Sequence, residues 1–341
     1  MQNKQMNLAL QGGGSHGAFT WGVLDRLLED GRIGIEGISG ASAGAMNATV
    51  LAHGYTVGGR DGARQALETF WESVAIKKPF SLVEEPAYSA DRIADQVHPP
   101  LGFEAVLAWT RFFSPYQLNP FDINPLRDML GSQIDFERLR TACPIKLFIA
   151  ATHVNSGTLR IFRNRQMSLD VLLASACLPA IYRAVEINGE AYWDGGFTAN
   201  PPLFPLLHQC NAADVMLVLL HSATQTDVPT TADQIYNRLT EIGFGAALST
   251  ELQGIALAKR EAERGMFAMG RLERRLRKLN LHAVDSKEFM GRLNTLSKLN
   301  TQAPFLHALR DEGREQADRW LKAHFHLVGV SSSLNLAQFL H

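Results

Sequence analysis

The sequence has few cysteines and almost no net charge. Only three cysteines occur among 341 residues, and no two of them form a Cys-x-x-Cys pair. An odd number of widely spaced cysteines argues against a disulfide scaffold and against a zinc site. With 33 Lys and Arg against 34 Asp and Glu, the chain has no overall field to hold a polyanion, so nucleic acid is not an expected partner.

Long apolar runs are also missing. The longest covers residues 215–220, whereas a membrane-spanning helix needs about 20 apolar residues. The first residues contain no apolar stretch of signal-peptide length. These absences predict a cytoplasmic location. A hydrophobic content of 46% is typical of a globular chain with one large domain and an appendage, or with two domains.

Strand and helix signals alternate along the first two thirds of the chain. The first two strand candidates each run into a glycine-rich turn and then a helix, which is typical of an α/β fold with a mainly parallel central sheet flanked by helices. The predicted strands cover residues 6–10, 33–38, 144–151, 158–162 and 214–221.

Two segments differ from this pattern. Residues 77–125 hold seven of the fourteen prolines, which predicts an irregular excursion with one helix near residues 104–113. The excursion is either a packed connector or a lid and apolar binding wall. After residue 222 the signals are helical, at residues 234–264 and 305–325. The chain therefore divides into a domain of residues 5–222 and a mostly helical segment of residues 223–341.

Residues 40–44 have the sequence Gly-Ala-Ser-Ala-Gly, a G-x-S-x-G pattern between a predicted strand and a predicted helix. In this context the pattern is typical of a nucleophile elbow, in which small neighbours let Ser42 occupy a tight turn with its Oγ exposed. The helix that begins there directs N–H groups towards developing negative charge. Alternatively, Gly40 and Gly44 serve only the close packing of helix on sheet.

Residues 12–17, Gly-Gly-Gly-Ser-His-Gly, connect the first strand to the first helix. They match the dinucleotide fingerprint G-x-G-x-x-G, and they would serve equally as an oxyanion hole, because glycines expose backbone N–H donors. A merely tight turn is the third alternative. A dinucleotide site needs an acidic residue where the second strand ends. Here that strand leads into Ser42, which favours acyl transfer.

A serine nucleophile needs a base. Asn188-Gly189 predicts a type I′ hairpin over residues 185–193, and this hairpin delivers Asp194 to its far end. Asp194 with the two glycines after it is either a simple turn or part of the site. Histidine is the usual base, and the candidates are His153, His208 and His221.

In order and spacing, these elements resemble the patatin-like phospholipase family over residues 5–222. The sequence features that carry the resemblance are the glycine turn at residues 12–14, the elbow at residues 40–44, the Ala-Ser-Ala-Cys-Leu-Pro stretch at residues 174–179, and residues 194–196 followed by Asn200 and Pro202. The resemblance implies a three-layer α/β/α fold and a catalytic dyad in place of a triad, with Ser42 as nucleophile and Asp194 as general base.

The same resemblance implies that backbone amides of the glycine turn form the oxyanion hole and that no histidine base, metal or cofactor is needed. The family's turn commonly begins with an acidic residue and carries Arg or Lys two positions after the third glycine, where this chain has Gln11 and His16. The residues that the resemblance predicts for the oxyanion hole are Gly12, Gly13 and Gly14, and those it predicts to support the site are Gly40, Gly44, Gly195, Gly196 and His16.

The predicted function is hydrolysis of fatty-acyl esters of the phospholipase A or esterase type, with a lipid or another acyl ester as substrate. The alternatives are a hydrolase of another ester (a polyester, a thioester or a neutral lipid), a non-catalytic lipid-binding protein and a dinucleotide-dependent oxidoreductase. Residues 271–278 hold five Arg and Lys residues. They form either a solvated face or a peripheral contact with anionic lipid headgroups.

Overall fold

A computed structural model of the chain describes residues 4–76, 113–220, 228–265, 270–293 and 295–340. These residues form an eight-stranded, mostly parallel sheet flanked by helices, as predicted. The strands are β1 (Lys4–Leu10), β2 (Ile33–Gly40), β3 (Lys146–His153), β4 (Leu159–Arg163), β5 (Val185–Ile187), β6 (Glu190–Asp194), β7 (Asp214–Val218) and β8 (Asn280–Val284). The helices are α1 (Gly17–Asp30), α2 (Ala43–Ile76), α3 (Pro115–Leu118), α4 (Pro125–Gln133), α5 (Phe136–Ala142), α6 (Leu169–Ser175), α7 (Phe204–Gln209), α8 (Ala232–Arg264), α9 (Arg271–Lys278), α10 (Lys287–Gly291) and α11 (Ala303–His324).

The centre of the sheet is parallel. β1 pairs with β2 on one side and β7 on the other, and β2 and β7 pair in turn with β3 and β8. A parallel strand covered on both faces is a nearly continuous apolar run, and β1 is buried from Met6 onwards. Its alternate side chains point to opposite faces: Leu8 packs in a core with α1 and α11, and Ala9 packs in a second core with α7 and α8. The fold therefore has three layers.

The hairpin of β5 and β6 places the end of β6 next to the end of β2. One edge of β3 pairs with β4 at Phe148–Thr152, and the other edge pairs first with β2 and then with β6. Gly40 of β2 lies opposite Ile149, and Asp194 of β6 lies opposite Ala151. Two residues of strand span about 7 Å. The sheet thus brings Asp194 within reach of the turn that follows Gly40.

Helix α2 doubles back on itself. Gly58 and Gly59 have non-helical backbone angles and separate two helical arms. The Nε1 group of Trp71, in the second arm, donates to Oδ1 of Asn47 in the first at 3.0 Å, and Asn47 Nδ2 donates to the carbonyl of Gly17 at 3.0 Å. The return of the second arm brings aromatic side chains back to the start of the helix, beside Ser42.

The C-terminal part contains the predicted long helices, α8 and α11, and also a strand that the sequence does not predict. β8 extends the sheet by pairing with β7. Its polar residues Asn280 and His282 interrupt the apolar pattern that is typical of a buried strand. Both are nevertheless buried, because Oδ1 of Asp214 accepts a hydrogen bond from Asn280 Nδ2 at 3.2 Å and lies 3.0 Å from His282 Nε2. The described part of this segment is mostly helical, as predicted, and β8 is a strand that the prediction lacks. The domain division at residue 222 stays a prediction.

The predicted excursion falls mostly outside the described residues, which resume at Phe113. The helix predicted near residues 104–113 also lies outside the described residues, apart from Phe113 itself. Where the chain is described again, it forms the short helix α3 and the turn leading to α4. Tyr116, Phe121 and Ile123 are exposed there, with Phe121 at 85% of its full accessibility. The lid interpretation remains a prediction.

Candidate active site

Ser42 occupies the strained turn expected of an elbow. Its φ is +53°, in the left-handed region, which non-glycine residues seldom adopt and which is concentrated at functional sites. Its backbone N–H donates to the carbonyl of Ser175 at 3.0 Å and lies 3.1 Å from Ser175 Oγ. The end of α6 therefore holds the turn in place, which gives the stretch at residues 174–179 a physical role.

Small residues are needed around Ser42 because backbone segments touch there. A side chain on Gly44 would collide with the carbonyl of Leu10, and a Cβ on Gly40 would lie 2.6 Å from the carbonyl oxygen of Gly44. Helix α2 starts at Ala43, so its positive end points towards the position of Ser42. Packing alone accounts for both glycines. The left-handed φ of Ser42 is the feature that packing does not require.

Asp194 is a fully buried carboxyl group at the end of β6. Its Oδ1 accepts the N–H of Gly196 at 2.7 Å, whereas Oδ2 has no hydrogen-bond partner among the residues described. Burial raises the pKa of Asp194 to about 7, and the Gly196 amide and the Ser42 hydroxyl act in the opposite direction. A carboxyl group that titrates near neutral pH beside a serine is suited to proton transfer.

The glycine turn lies against the elbow, but its three amides are not equivalent. Gly12 N donates to Oδ1 of Asn200 at 2.6 Å, and Asn200 Nδ2 returns a longer bond of 3.4 Å to the Gly12 carbonyl. This amide already donates its hydrogen bond within the protein, which contradicts the predicted role of Gly12 as an oxyanion donor. Among the described residues, the amides of Gly13 and Gly14 donate to no protein group, and these two stay the predicted donors.

The two residues that depart from the family pattern are both buried in the fold. Gln11 Oε1 accepts the N–H of Leu220 at 2.7 Å, which ties the glycine turn to the end of β7. His16 is also buried, with its Nε2 2.7 Å from Oγ of Ser297 and its ring against Phe305. His16 therefore anchors the turn to the C-terminal part of the chain.

The histidines considered as bases lie elsewhere. His153 Nδ1 contacts Oγ of Ser156, and its Nε2 contacts a carboxyl oxygen of Glu190 at 2.5 Å, on the outer side of the hairpin. His208 is an exposed residue of α7, and His221 lies outside the described residues. Cys177 is close to Asp194, but burial raises its thiol pKa to about 12, so it stays protonated and unreactive.

A cavity of about 460 Å³ adjoins Ser42. Its walls are mainly apolar and come from both arms of α2, from the α3–α4 region, from residues 176–182 and from the 3-10 turn Thr295–Leu299. Leu118 and Ile123, at the described end of the excursion, form part of the wall. Gly14 lines it as well. The predicted nucleophile and a predicted oxyanion donor thus border the same apolar space.

Two further kinds of site, a dinucleotide site and a metal site, find no support in the described residues. Glu36 of β2 accepts the amides of Asn211 and Ala212 and pairs with Lys146 at 2.8 Å. It therefore does not close the end of β2 as a ribose-binding acid would. Among the described residues, no group of three or more His, Cys, Asp or Glu side chains is placed to hold a metal ion.

The basic helix α9 lies at the opposite edge of the sheet. Arg275 donates to the carbonyls of Leu207 and Asn211, at 3.0 and 3.2 Å, in the segment that leads into β7. Since β1, β2, β7 and β8 are parallel, this edge holds their amino ends, whereas Ser42 follows the carboxyl end of β2. The placement argues against α9 as the surface that brings Ser42 to a membrane.

Comparison with known proteins identifies the family. A model of the family described as patatin-like phospholipase matches residues 8–207, more than half of the chain. The chain therefore belongs to the patatin-like phospholipase family, and membership implies a hydrolase acting on lipid esters. The search of curated proteins finds no match. In the part of the chain that is described, every helix is too short or too polar to cross a bilayer.

Three of the solved structures that resemble the chain are structures of two bacterial proteins. VipD from Legionella pneumophila is 17% identical, with 94% of this chain and 67% of that chain covered and a TM-score of 0.44. The type III effector ExoU is 15% identical, with 98% and 78% covered and a TM-score of 0.29. ExoU from Pseudomonas aeruginosa in complex with SpcU is also 15% identical, with a TM-score of 0.28 and 99% and 76% covered.

Proposed function

We propose that the protein hydrolyses fatty-acyl esters of lipids through a dyad of Ser42 and Asp194. One observation carries the proposal: Ser42, in a left-handed turn, lines an apolar cavity and lies beside the buried carboxyl group of Asp194, whose pKa is about 7. Family membership makes the reaction class lipid-ester hydrolysis. The dyad, the oxyanion donors and the lipid are proposals for this chain.

In the first step, Asp194 takes the proton of Ser42 as Oγ attacks the ester carbonyl carbon. The Gly196 amide fixes Oδ1, which leaves Oδ2 to accept the proton. The amides of Gly13 and Gly14 hold the oxyanion of the tetrahedral intermediate. Each such donor typically contributes about 3 kcal/mol to transition-state stabilisation.

The intermediate collapses when the ester C–O bond breaks and the protonated Asp194 gives its proton to the leaving alcohol. The acyl group stays on Ser42 as an ester. Water then attacks this acyl-enzyme while Asp194 again takes the proton, and the second tetrahedral intermediate releases the fatty acid and restores the Ser42 hydroxyl. The same carboxyl group acts alternately as base and acid, for which a pKa near 7 is well matched.

The walls of the cavity favour a long acyl chain. Met46, Phe70, Trp71 and Met129 line it with further aliphatic residues, and burying each methylene group of a ligand contributes about 0.8 kcal/mol. The apolar residues exposed beside it, Phe121 and Ile123, suit contact with a lipid surface at the same end of the molecule. A lipid is therefore a better fit than a small soluble ester.

The test is the release of fatty acid from phospholipid micelles and the turnover of short and long p-nitrophenyl esters. We expect wild-type protein to hydrolyse long-chain esters, and Ser42→Ala and Asp194→Asn to lose at least about 100-fold in rate. Ser156→Ala, at an exposed serine outside the cavity, is the matched control. Full esterase activity in Ser42→Ala, or in a folded Asp194→Asn, would refute the dyad.

A further inference from the structure

The glycine turn is held between two parts of the protein that lie far apart in sequence. On one side Gly12 touches the elbow, where a Cβ would lie 2.6 Å from the carbonyl oxygen of Ala41. On the other side Gly14, with a φ of +59°, lies against the 3-10 turn Thr295–Leu299, and a Cβ there would collide with the carbonyl oxygen of Lys298. The second support of the glycine turn therefore comes from a segment outside the residues that the family model matches.

A buried pair of polar side chains joins the two turns. His16 Nε2 lies 2.7 Å from Oγ of Ser297, and both side chains are almost completely buried. The ring of His16 also packs against Phe305, in the first turn of α11. Because a buried polar group that loses its partner is costly, the pair resists separation of the two turns.

Two packed helices determine where this pair lies. α1 follows the glycine turn directly, and α11 follows the Thr295–Leu299 turn. The helices touch backbone to backbone. A Cβ on Gly22 of α1 would collide with the carbonyl oxygen of Arg310, and a Cβ on Gly313 of α11 would collide with the carbonyl oxygen of Phe19. The packing of α11 on α1 therefore fixes the position of Ser297 relative to the glycine turn.

The contact acts on the part of the glycine turn that carries the predicted oxyanion donors. Residues Gly14–His16 form one 3-10 turn, in which the N–H of His16 donates to the carbonyl of Gly13 at 3.2 Å. Such a turn rises about 2 Å per residue, so His16 lies only about 4 Å along the axis from Gly14. Oxyanion donors stabilise the transition state when their directions are fixed before the reaction. A displacement of His16 would therefore turn these amides away from the oxyanion.

We propose that Ser297 is a positioning residue for catalysis, which acts through His16 to fix the direction of the Gly13 and Gly14 amides. The inference rests on the proposed function and adds that the C-terminal part of the chain completes the active site. Ser297 is fully buried and does not line the cavity, so it acts only through its neighbours. Its loss should lower kcat and leave KM largely unchanged, because the apolar wall that receives the acyl chain stays in place.

The test measures kcat and KM for a long-chain p-nitrophenyl ester, together with the inhibition constant of a long-chain trifluoromethyl ketone. The serine hydroxyl adds to the ketone carbonyl and forms a tetrahedral oxyanion, so the affinity of this inhibitor reports on the oxyanion donors. We expect Ser297→Ala to lower kcat by about 10–100-fold, with KM changed less than about twofold. The inhibition constant should rise by the same factor by which kcat/KM falls.

Ser286→Ala is the matched control. Ser286 is another buried serine of the C-terminal part, and its Oγ donates to a carboxyl oxygen of Glu312 in α11, not to the glycine turn. This variant should unfold at a lower temperature and keep the wild-type kcat. His16→Leu removes the same contact from the other side. The double variant His16→Leu/Ser297→Ala should lose no more kcat than His16→Leu alone, because the two residues act as one unit.

A wild-type kcat and inhibition constant in a folded Ser297→Ala would overturn the proposal. Losses of kcat that multiply in the double variant, or an equal loss in Ser286→Ala, would overturn it as well. Thermal unfolding checks the fold of each variant, and His16→Leu provides the same comparison if Ser297→Ala does not fold. If wild-type protein hydrolyses no ester, the proposed function fails and this inference fails with it. If the wild type is active and Ser297→Ala equals it, this inference alone fails.

Discussion

Replacing Asp194 with asparagine should stabilise the protein at alkaline pH while it removes activity. The carboxyl group is fully buried, and its pKa is raised from 3.8 to about 7. Between these two values the unfolded chain loses the proton and the folded chain keeps it, so the wild type loses stability as the pH rises. Asparagine has the same shape, can keep an oxygen towards the Gly196 amide, and carries no charge at any pH.

The magnitude follows from the two pKa values. Each unit of difference corresponds to about 1.4 kcal/mol. The raised pKa of Asp194 therefore costs the folded state about 2 kcal/mol at pH 5, where the buried carboxyl group must stay protonated, and about 4 kcal/mol at pH 8, where it is charged. The free energy of unfolding of Asp194→Asn, relative to wild type, should therefore rise by about 2–3 kcal/mol over this range.

The assay is urea unfolding of both proteins at pH 5 and pH 8, followed by circular dichroism. Asp128→Asn, at an exposed aspartate, is the control for the general effect of removing a carboxylate. A stability difference between Asp194→Asn and wild type that does not change with pH would refute the raised pKa and, with it, the reason for treating Asp194 as a base tuned to neutral pH.

Three further predictions concern the same site and its support. The kcat/KM for a neutral ester should rise about tenfold per pH unit below pH 7 and level off above it, because the ionised form of Asp194 is the base; a flat profile from pH 5 to pH 8 would contradict this. Gly14→Ala should lower kcat by about 100-fold, since a Cβ there collides with the Lys298 carbonyl; a normal kcat would show that the turn tolerates displacement. Glu251→Ala should lower the free energy of unfolding by about 1–3 kcal/mol, because the Glu251 carboxylate accepts the two amides that begin α7; urea unfolding measures the loss, and no loss would mean that water replaces the carboxylate.

The elements around the elbow could be predicted from the sequence because local patterns determine them. β1 is a buried apolar run that stops at glycines, and α1 follows it with apolar residues at helical spacing. The hairpin was also predictable, since Asn188 and Gly189 both have the positive φ that a type I′ turn requires. In each of these elements, the chemistry of neighbouring residues decides the structure.

What could not be predicted depends on contacts between distant segments. β8 is buried through the bonds of Asn280 and His282 to Asp214, and its polar residues conceal a strand. The use of the Gly12 amide by Asn200 joins residues 188 positions apart. Lys298 belongs to a stretch without a recognisable motif, and only the docking of its turn on Gly14 brings it to the cavity.

The central claim is that Ser42 is a nucleophile activated by Asp194, and covalent labelling tests it most directly. Wild-type protein, Ser42→Ala and Asp194→Asn are each treated with a fluorophosphonate probe, and the labelled peptide is identified by mass spectrometry. We predict a single adduct on the peptide that contains Ser42, absent in Ser42→Ala and formed at least about 100-fold more slowly in Asp194→Asn. An adduct on another serine, or labelling at the wild-type rate in a folded Asp194→Asn, would contradict the account.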